Sequence, residues 1–197
     1  GNEAVTLSDT TLAASVLNTL DGNTSGSINA SSINSLTGSA DDLITAYASS
    51  GITGLGDEAI SVSSGSASTS QANTLAGATS AVVTATLSDG DMATLAGLNE
   101  TGNAYSITIT DSSVDAAALN TLNGKTTIAV NAGNITTLTG AAADLNTAYA
   151  SGGISNLGNE AVTLSDTTLA ASVLNTLDGR TSGVINASNI TTLTGAA

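Results

Sequence analysis

Two pairs of aspartates, Asp89 with Asp91 and Asp111 with Asp115, follow alternating runs of the kind that form strands. Neighbouring parallel strands would bring such carboxylates about 4.8 Å apart, close enough to share a divalent cation. A similar aspartate, Asp9, stands in "TLSDTTLAASVLNTLDG", residues 6 to 22, which recurs almost letter for letter at residues 163 to 179. Stepping two residues beyond the last inward residue of each alternating run reaches Asp9, Ser32, Ser64, Asp89, Asp111, Asn134, Asp166 and Asn189. A calcium site gathers several oxygens and negative charge on one ion, yet four of these eight residues are uncharged. Asp, Ser and Asn share another property: each accepts a hydrogen bond from a free N–H in the first turn of a helix. The set is therefore read as helix N-caps, and no metal ligand is assigned. Asp41 and Asp57 become Ala143 and Asn159 in a matching copy, which essential ligands would not tolerate.

Other chemistry is scarcer. "GLGDE" and "GLGNE" carry neither a GxxxxGK[ST] nor a GxGxxG pattern, and their acids would repel phosphate; their glycines are assigned to turns. Tyr47 and Tyr149 hold equivalent places in "TAYAS" and are expected to pack with their hydroxyls satisfied locally. With no His and no Cys, Lys125 is the one base that could serve a serine nucleophile, so the chain is read as non-enzymatic, with no catalytic residue and no cofactor. Ser106, Thr108 and Thr110 alternate with Tyr105, Ile107 and Ile109, and an outward ladder of such hydroxyls would suit a glycan or an ice lattice.

The elements that would position these residues repeat. Residues 1 to 38 match residues 158 to 195 with five differences, and "INSLTGSADDLITAYASSGITGLGDE" from Ile33 matches "ITTLTGAAADLNTAYASGGISNLGNE" from Ile135. Beneath both copies runs a glycine punctuation from Gly22 to Gly195 that averages about 19 residues, near the leucine-rich-type range. Each beat opens with alternation, as in "AVTLSD", "AISVSS", "VTATLSD", "YSITITD", "TIAVNA" and "VINAS", which predicts half-buried strands. It continues with helical spacing, as in Leu12, Val16 and Leu20 with Leu17 beside them and Gly22 after them. In "SSINSLTG" and "NITTLTG" that second part shrinks to about one helical turn. One such beat buries too few aliphatic side chains to offset the entropy of ordering it, so beats must stack on one another. The expected fold is an α/β repeat solenoid, leucine-rich-repeat-like, with a parallel sheet on one wall and short helices on the other. An all-β right-handed β-helix is the alternative. The expected extent is a single solenoid over residues 1 to 197, a piece of a longer array.

Composition agrees with a stacked array. Aromatics are 2% of the chain, hydrophobic residues 41%, and Pro and Cys are absent; a central parallel strand cannot spare the N–H that Pro lacks. A net charge of −14 disfavours nucleic acid and anionic membrane surfaces, which need Lys and Arg. No run approaches the roughly 20 apolar residues of a membrane helix.

The phrases "NEAVTLSDTTLAASVLNTLDG", "TSGVINASNITTLTGAAADLNTAYAS" and "GITGLGDEA" resemble the tandem repeats of giant secreted surface proteins of cyanobacteria and other bacteria, described as β-strand-repeat, adhesin-like or swimming-related. Residues 59 to 104 depart most from these phrases. The resemblance implies an extracellular, cell-surface location and a long parent chain. The resulting expectation is a structural segment: a stiff spacer, matrix component or adhesin stalk. Its partners would be neighbouring repeats of the parent chain, with self-association and glycans as further partners. The alternative is a glycan- or surface-binding module stabilised by calcium between rungs.

Overall fold

The computed structural model describes residues 1 to 195, so residues 196 and 197 of the expected span lie outside it. The chain divides into two units, Gly1–Ser88 with Gly97–Ser106, and Asp89–Ala96 with Ile107–Ala197. Both are α/β, with every strand pair parallel, and the two together hold seven helices among the described residues.

The first unit contains β1 (Val5–Thr6), β2 (Thr11–Ala13), α1 (Ala14–Asn23), β3 (Ile28–Asn29), β4 (Ser35–Gly38), α2 (Ala40–Ala48), β5 (Ile52–Thr53), β6 (Ala59–Val62), α3 (Thr69–Ala76), β7 (Val83–Thr86) and β8 (Ala104–Ser106). It forms two sheets, β1-β3-β5 and β2-β4-β6-β7-β8, with α1 packed on α2 and α2 on α3. The second unit contains α4 (Met92–Leu95), β9 (Ser113–Asp115), α5 (Ala116–Asn123), β10 (Val130–Asn131), β11 (Thr137–Gly140), α6 (Ala142–Ala150), β12 (Ile154–Ser155), β13 (Ala161–Leu164), β14 (Thr168–Ala170), α7 (Ala171–Asp178), β15 (Ile185–Asn186) and β16 (Thr192–Thr194). Its sheets are β15-β13-β11-β9, β10-β12 and β14-β16, with α5 packed on α6 and α6 on α7.

The register is regular. Val5 lies opposite Ile28 and Ile28 opposite Ile52; Leu12 faces Leu36, which faces Ile60; Val114 faces Leu138, which faces Val162. Paired strands thus follow one another at 23 or 24 residues, shortening to 20 between Thr84 of β7 and Ala104 of β8. These pairings stack aliphatic side chains into ladders, and the core joins strand residues Leu36, Ile60 and Leu138 to helix residues Leu17, Leu43 and Leu119, all fully buried. The glycine beat of about 19 residues is not the interval between paired strands. Its glycines fall at several kinds of place: after helices at Gly77, Gly124 and Gly179, at the ends of strands at Gly38 and Gly140, inside α1 at Gly22, and in the loops before β6 and β13 at Gly56 and Gly158.

Two local expectations need correction. Leu12 does not begin a helix. Thr11–Ala13 is a strand pairing with Ser35, Leu36 and Thr37, and α1 starts only at Ala14. The i, i+4, i+8 spacing of Leu12, Val16 and Leu20 arose because a three-residue strand abuts a helix: Ala14 and Leu17 are the fully buried residues of α1, while Val16 is exposed. "SSINSLTG" and "NITTLTG" are not single helical turns either, since Ser35–Gly38, Thr137–Gly140 and Thr192–Thr194 are strands. Leu36 is buried between half-buried Ser35 and Thr37, and Leu138 between half-buried Thr137 and Thr139, which is period two over too few residues to outvote the glycine that follows. The single sheet wall of the sequence reading becomes two sheets in the first unit and three in the second.

Candidate functional site

The eight Asp, Ser and Asn positions lie between one strand and the next element, not next to the helix they were assigned to cap. Helices that carry their own side-chain caps use other residues: Ser39 accepts from the Asp42 N–H at 3.1 Å, Ser68 forms a reciprocal capping box with Gln71, Asp91 accepts from Thr94 at 2.8 Å, and Asp115 accepts from Ala118 at 3.0 Å. Two of the eight do accept from a helix N-terminus, but from an earlier one. Asp166 accepts from the Ala142 N–H of α6 at 2.8 Å, and Asp111 from the Met92 N–H of α4 at 2.6 Å. Asn134 and Asn189 act as donors instead, to the carbonyls of Ile109 and Leu164, each at 2.8 Å. Asp9 and Ser64 are exposed and Ser32 is half-buried. For Asp111 and Asp166 the residue type suits a helix N-terminus, but the helix served lies earlier in the chain, because a short strand separates each from the helix that follows it.

Three of the four aspartates weighed as a shared cation site accept from backbone N–H groups. Asp91 caps α4, Asp115 caps α5 and Asp111 also reaches α4. The backbone N–H and the hydroxyl of Thr94 hold the Asp91 carboxyl below its ordinary range. Among the described residues no three His, Cys, Asp or Glu side chains come together as a metal site.

Lys125 lines a cavity of about 160 Å³ in the second unit together with Met92, Leu95, Leu122 and Thr121, and no serine is among the residues that line it. The surroundings are aliphatic, so the arrangement supplies no nucleophile of the kind considered for catalysis. Ser106, Thr108 and Thr110 are exposed as expected. Many other sheet hydroxyls are occupied: Thr53, Thr139 and Ser155 donate to the carbonyls of Ile28, Val114 and Val130. The helices use asparagine in the same way, Asn18 donating to the Asp42 carbonyl at 2.9 Å and Asn120 to the Asp144 carbonyl at 3.0 Å.

The most developed polar constellation is one that sequence reasoning treated as two unrelated features. Glu58 and Glu160 are 0% and 1% exposed. In each case the glycine two residues earlier, Gly56 at φ +138° and Gly158 at φ +140°, aims its N–H at the carboxylate, at 2.9 and 2.8 Å. That backbone conformation strongly favours glycine. The loop resembles a small anion nest whose anion is the chain's own glutamate. The tyrosine of the preceding helix completes it: Tyr47 of α2 donates to Glu58, and Tyr149 of α6 donates to Glu160 at 3.1 Å. Burial, then the Glu160 charge, pushes the Tyr149 phenol up to about 12, against a partial counter-effect from Thr181. The hydroxyls of Thr79 and Thr181 donate to the backbone carbonyls of the same two glutamates, at 2.7 and 2.9 Å. The signal was present in the sequence, since tyrosine precedes glutamate by the same eleven residues in both copies.

Among the described residues no helix is long and apolar enough to cross a membrane. No family model matches the chain, and no curated protein or solved structure matches it either.

Proposed function

We propose that the chain is a structural segment of an extracellular, cell-surface repeat protein: a spacer, matrix or stalk piece that performs no reaction of its own. In this reading each unit is a run of solenoid turns, 23 or 24 residues per turn over most of its length. The observation that carries it is the register, in which Val5, Ile28 and Ile52, or Val114, Leu138 and Val162, align one residue per turn through parallel pairing. Side-chain amides and hydroxyls are directed at the carbonyls of adjacent turns, which also favours a structural use over a binding one. Such a chain gains its stability from neighbours, as a one-dimensional array does. Its acidity keeps parallel copies soluble and mutually repelling.

The test is a calcium titration followed by thermal melting of the whole chain. The spacer reading expects calcium to act no differently from magnesium at matched ionic strength. A stoichiometric, calcium-specific rise in melting temperature would replace it with a metal-organised binding module, and retention of the chain on a glycan array would do the same.

A further inference from the structure

Stacking in this chain faces an identity problem. The ladders are aliphatic throughout, Leu12 on Leu36 on Ile60 in the first unit and Val114 on Leu138 on Val162 in the second. Any Leu, Ile or Val strand would satisfy any other nearly as well, because burial of aliphatic surface carries no address. A strand that slipped by one turn would keep its inward and outward faces, since the slip is a whole turn and not one residue.

Two places break that equivalence. Glu58 and Glu160 are the buried carboxylates of the described residues. Burying a carboxylate is expensive unless donors meet it. Beyond the backbone N–H groups of the glutamate's own loop, the side-chain donor comes from the helix that lies between the two strands of a pair. Strand β4 leads into α2 with Tyr47, then to Glu58, and then to β6, which pairs back onto β4. Strand β11 leads into α6 with Tyr149, then to Glu160, and then to β13, which pairs back onto β11. The pairing is not an optimised stabiliser, because Oε1 of Glu160 is buried with no hydrogen-bond partner.

We infer that the Tyr47–Glu58 and Tyr149–Glu160 pairs are register keys, which set the strand accepted after each tyrosine helix and exclude one-turn slips among near-identical repeats. Their contribution is to uniqueness of the fold more than to its stability, a role that buried polar groups fill in some other repetitive assemblies. The inference rests on the stacked-turn reading proposed above. The calcium and melting behaviour of the unaltered chain tests that reading; the number of folded species in the variants tests this one.

The experiment is refolding of the full chain from denaturant, for the natural sequence, for Y47F/Y149F and for E58Q/E160Q, read by size-exclusion chromatography with light scattering and by amide NMR. The natural chain is expected to return one monomer with one set of resonances. Both variants are expected to retain helix and strand by circular dichroism but to split into several species, with second resonance sets for β4, α2, β5 and β6 and for β11, α6, β12 and β13. Y47F alone should split only the first group. Recovery of a single monomer with a single resonance set, however much its melting temperature falls, would overturn the proposal. Complete loss of structure in both double variants would also overturn it, by making the pairs plain stability elements.

Discussion

Tyr149 and Tyr105 are residues whose burial changes their acid–base behaviour. Their phenols are both pushed up to about 12, in each case first by burial, with a carboxylate charge adding to it, Glu160 for Tyr149 and Glu100 for Tyr105. Because the folded values lie above the ordinary phenol value near 10, the neutral phenols favour the fold at any pH below about 10. That contribution is lost as pH rises through about 12. Alkaline unfolding is therefore expected to coincide with phenolate formation at 295 nm, and Y149F should move the transition to higher pH or flatten it. Asp166 and Asp9 make a second matched test. Asp166→Ala removes the acceptor for the Ala142 N–H and should cost about 1 kcal/mol in urea unfolding, whereas Asp9→Ala, at an exposed site, should stay within about 0.5 kcal/mol. The residue types at these corners were legible from the sequence. Their partners were not, because a side chain that acts one turn away leaves no local spacing to read.

At the scale of elements, the chain carries one sequence in two environments. Leu36 on β4 and Leu193 on β16 are equivalent positions of the two long copies, yet Leu36 is 0% exposed and Leu193 is 57% exposed. Leu36 has Leu12 on one side and Ile60 on the other; Leu193 is paired with Leu169 of β14, its one strand partner among the described residues. Leu36→Ala is expected to cost about 2–5 kcal/mol and Leu193→Ala under about 1 kcal/mol, measured by chemical denaturation with unchanged m-values for both. The strands at "AISV" and "VTAT" and the body of the helix at "ASVLNTLDGN" could be read from alternation and from helical spacing. The strands at Thr11–Ala13 and Thr168–Ala170 could not, because three residues preceding a helix without a glycine merge into its pattern. Strand β4 was misread for the opposite reason, a glycine at its end that resembled a helix stop.

At the scale of the whole molecule, sixteen acids against two bases set the response to solvent. Like charges repel more in the compact state than in the unfolded chain, so added salt should raise the melting temperature through screening. Sodium chloride and calcium chloride at equal ionic strength should do so alike, as scanning calorimetry would show. The parallel α/β class followed from the absence of proline and the two mixed periodicities, and the existence of copies followed from simple self-comparison. The interval between paired strands did not, since glycines mark both helix ends and strand ends. The hydrogen bond from the Ala142 N–H to Asp166 has a consequence for how such a protein is made. As the polypeptide leaves the ribosome, α6 emerges with its first N–H groups uncapped and gains its acceptor only when the segment bearing Asp166 follows. Completion of α6 therefore trails its synthesis by roughly one repeat, and translational pausing before Asp166 would hold this nascent helix open at its amino end.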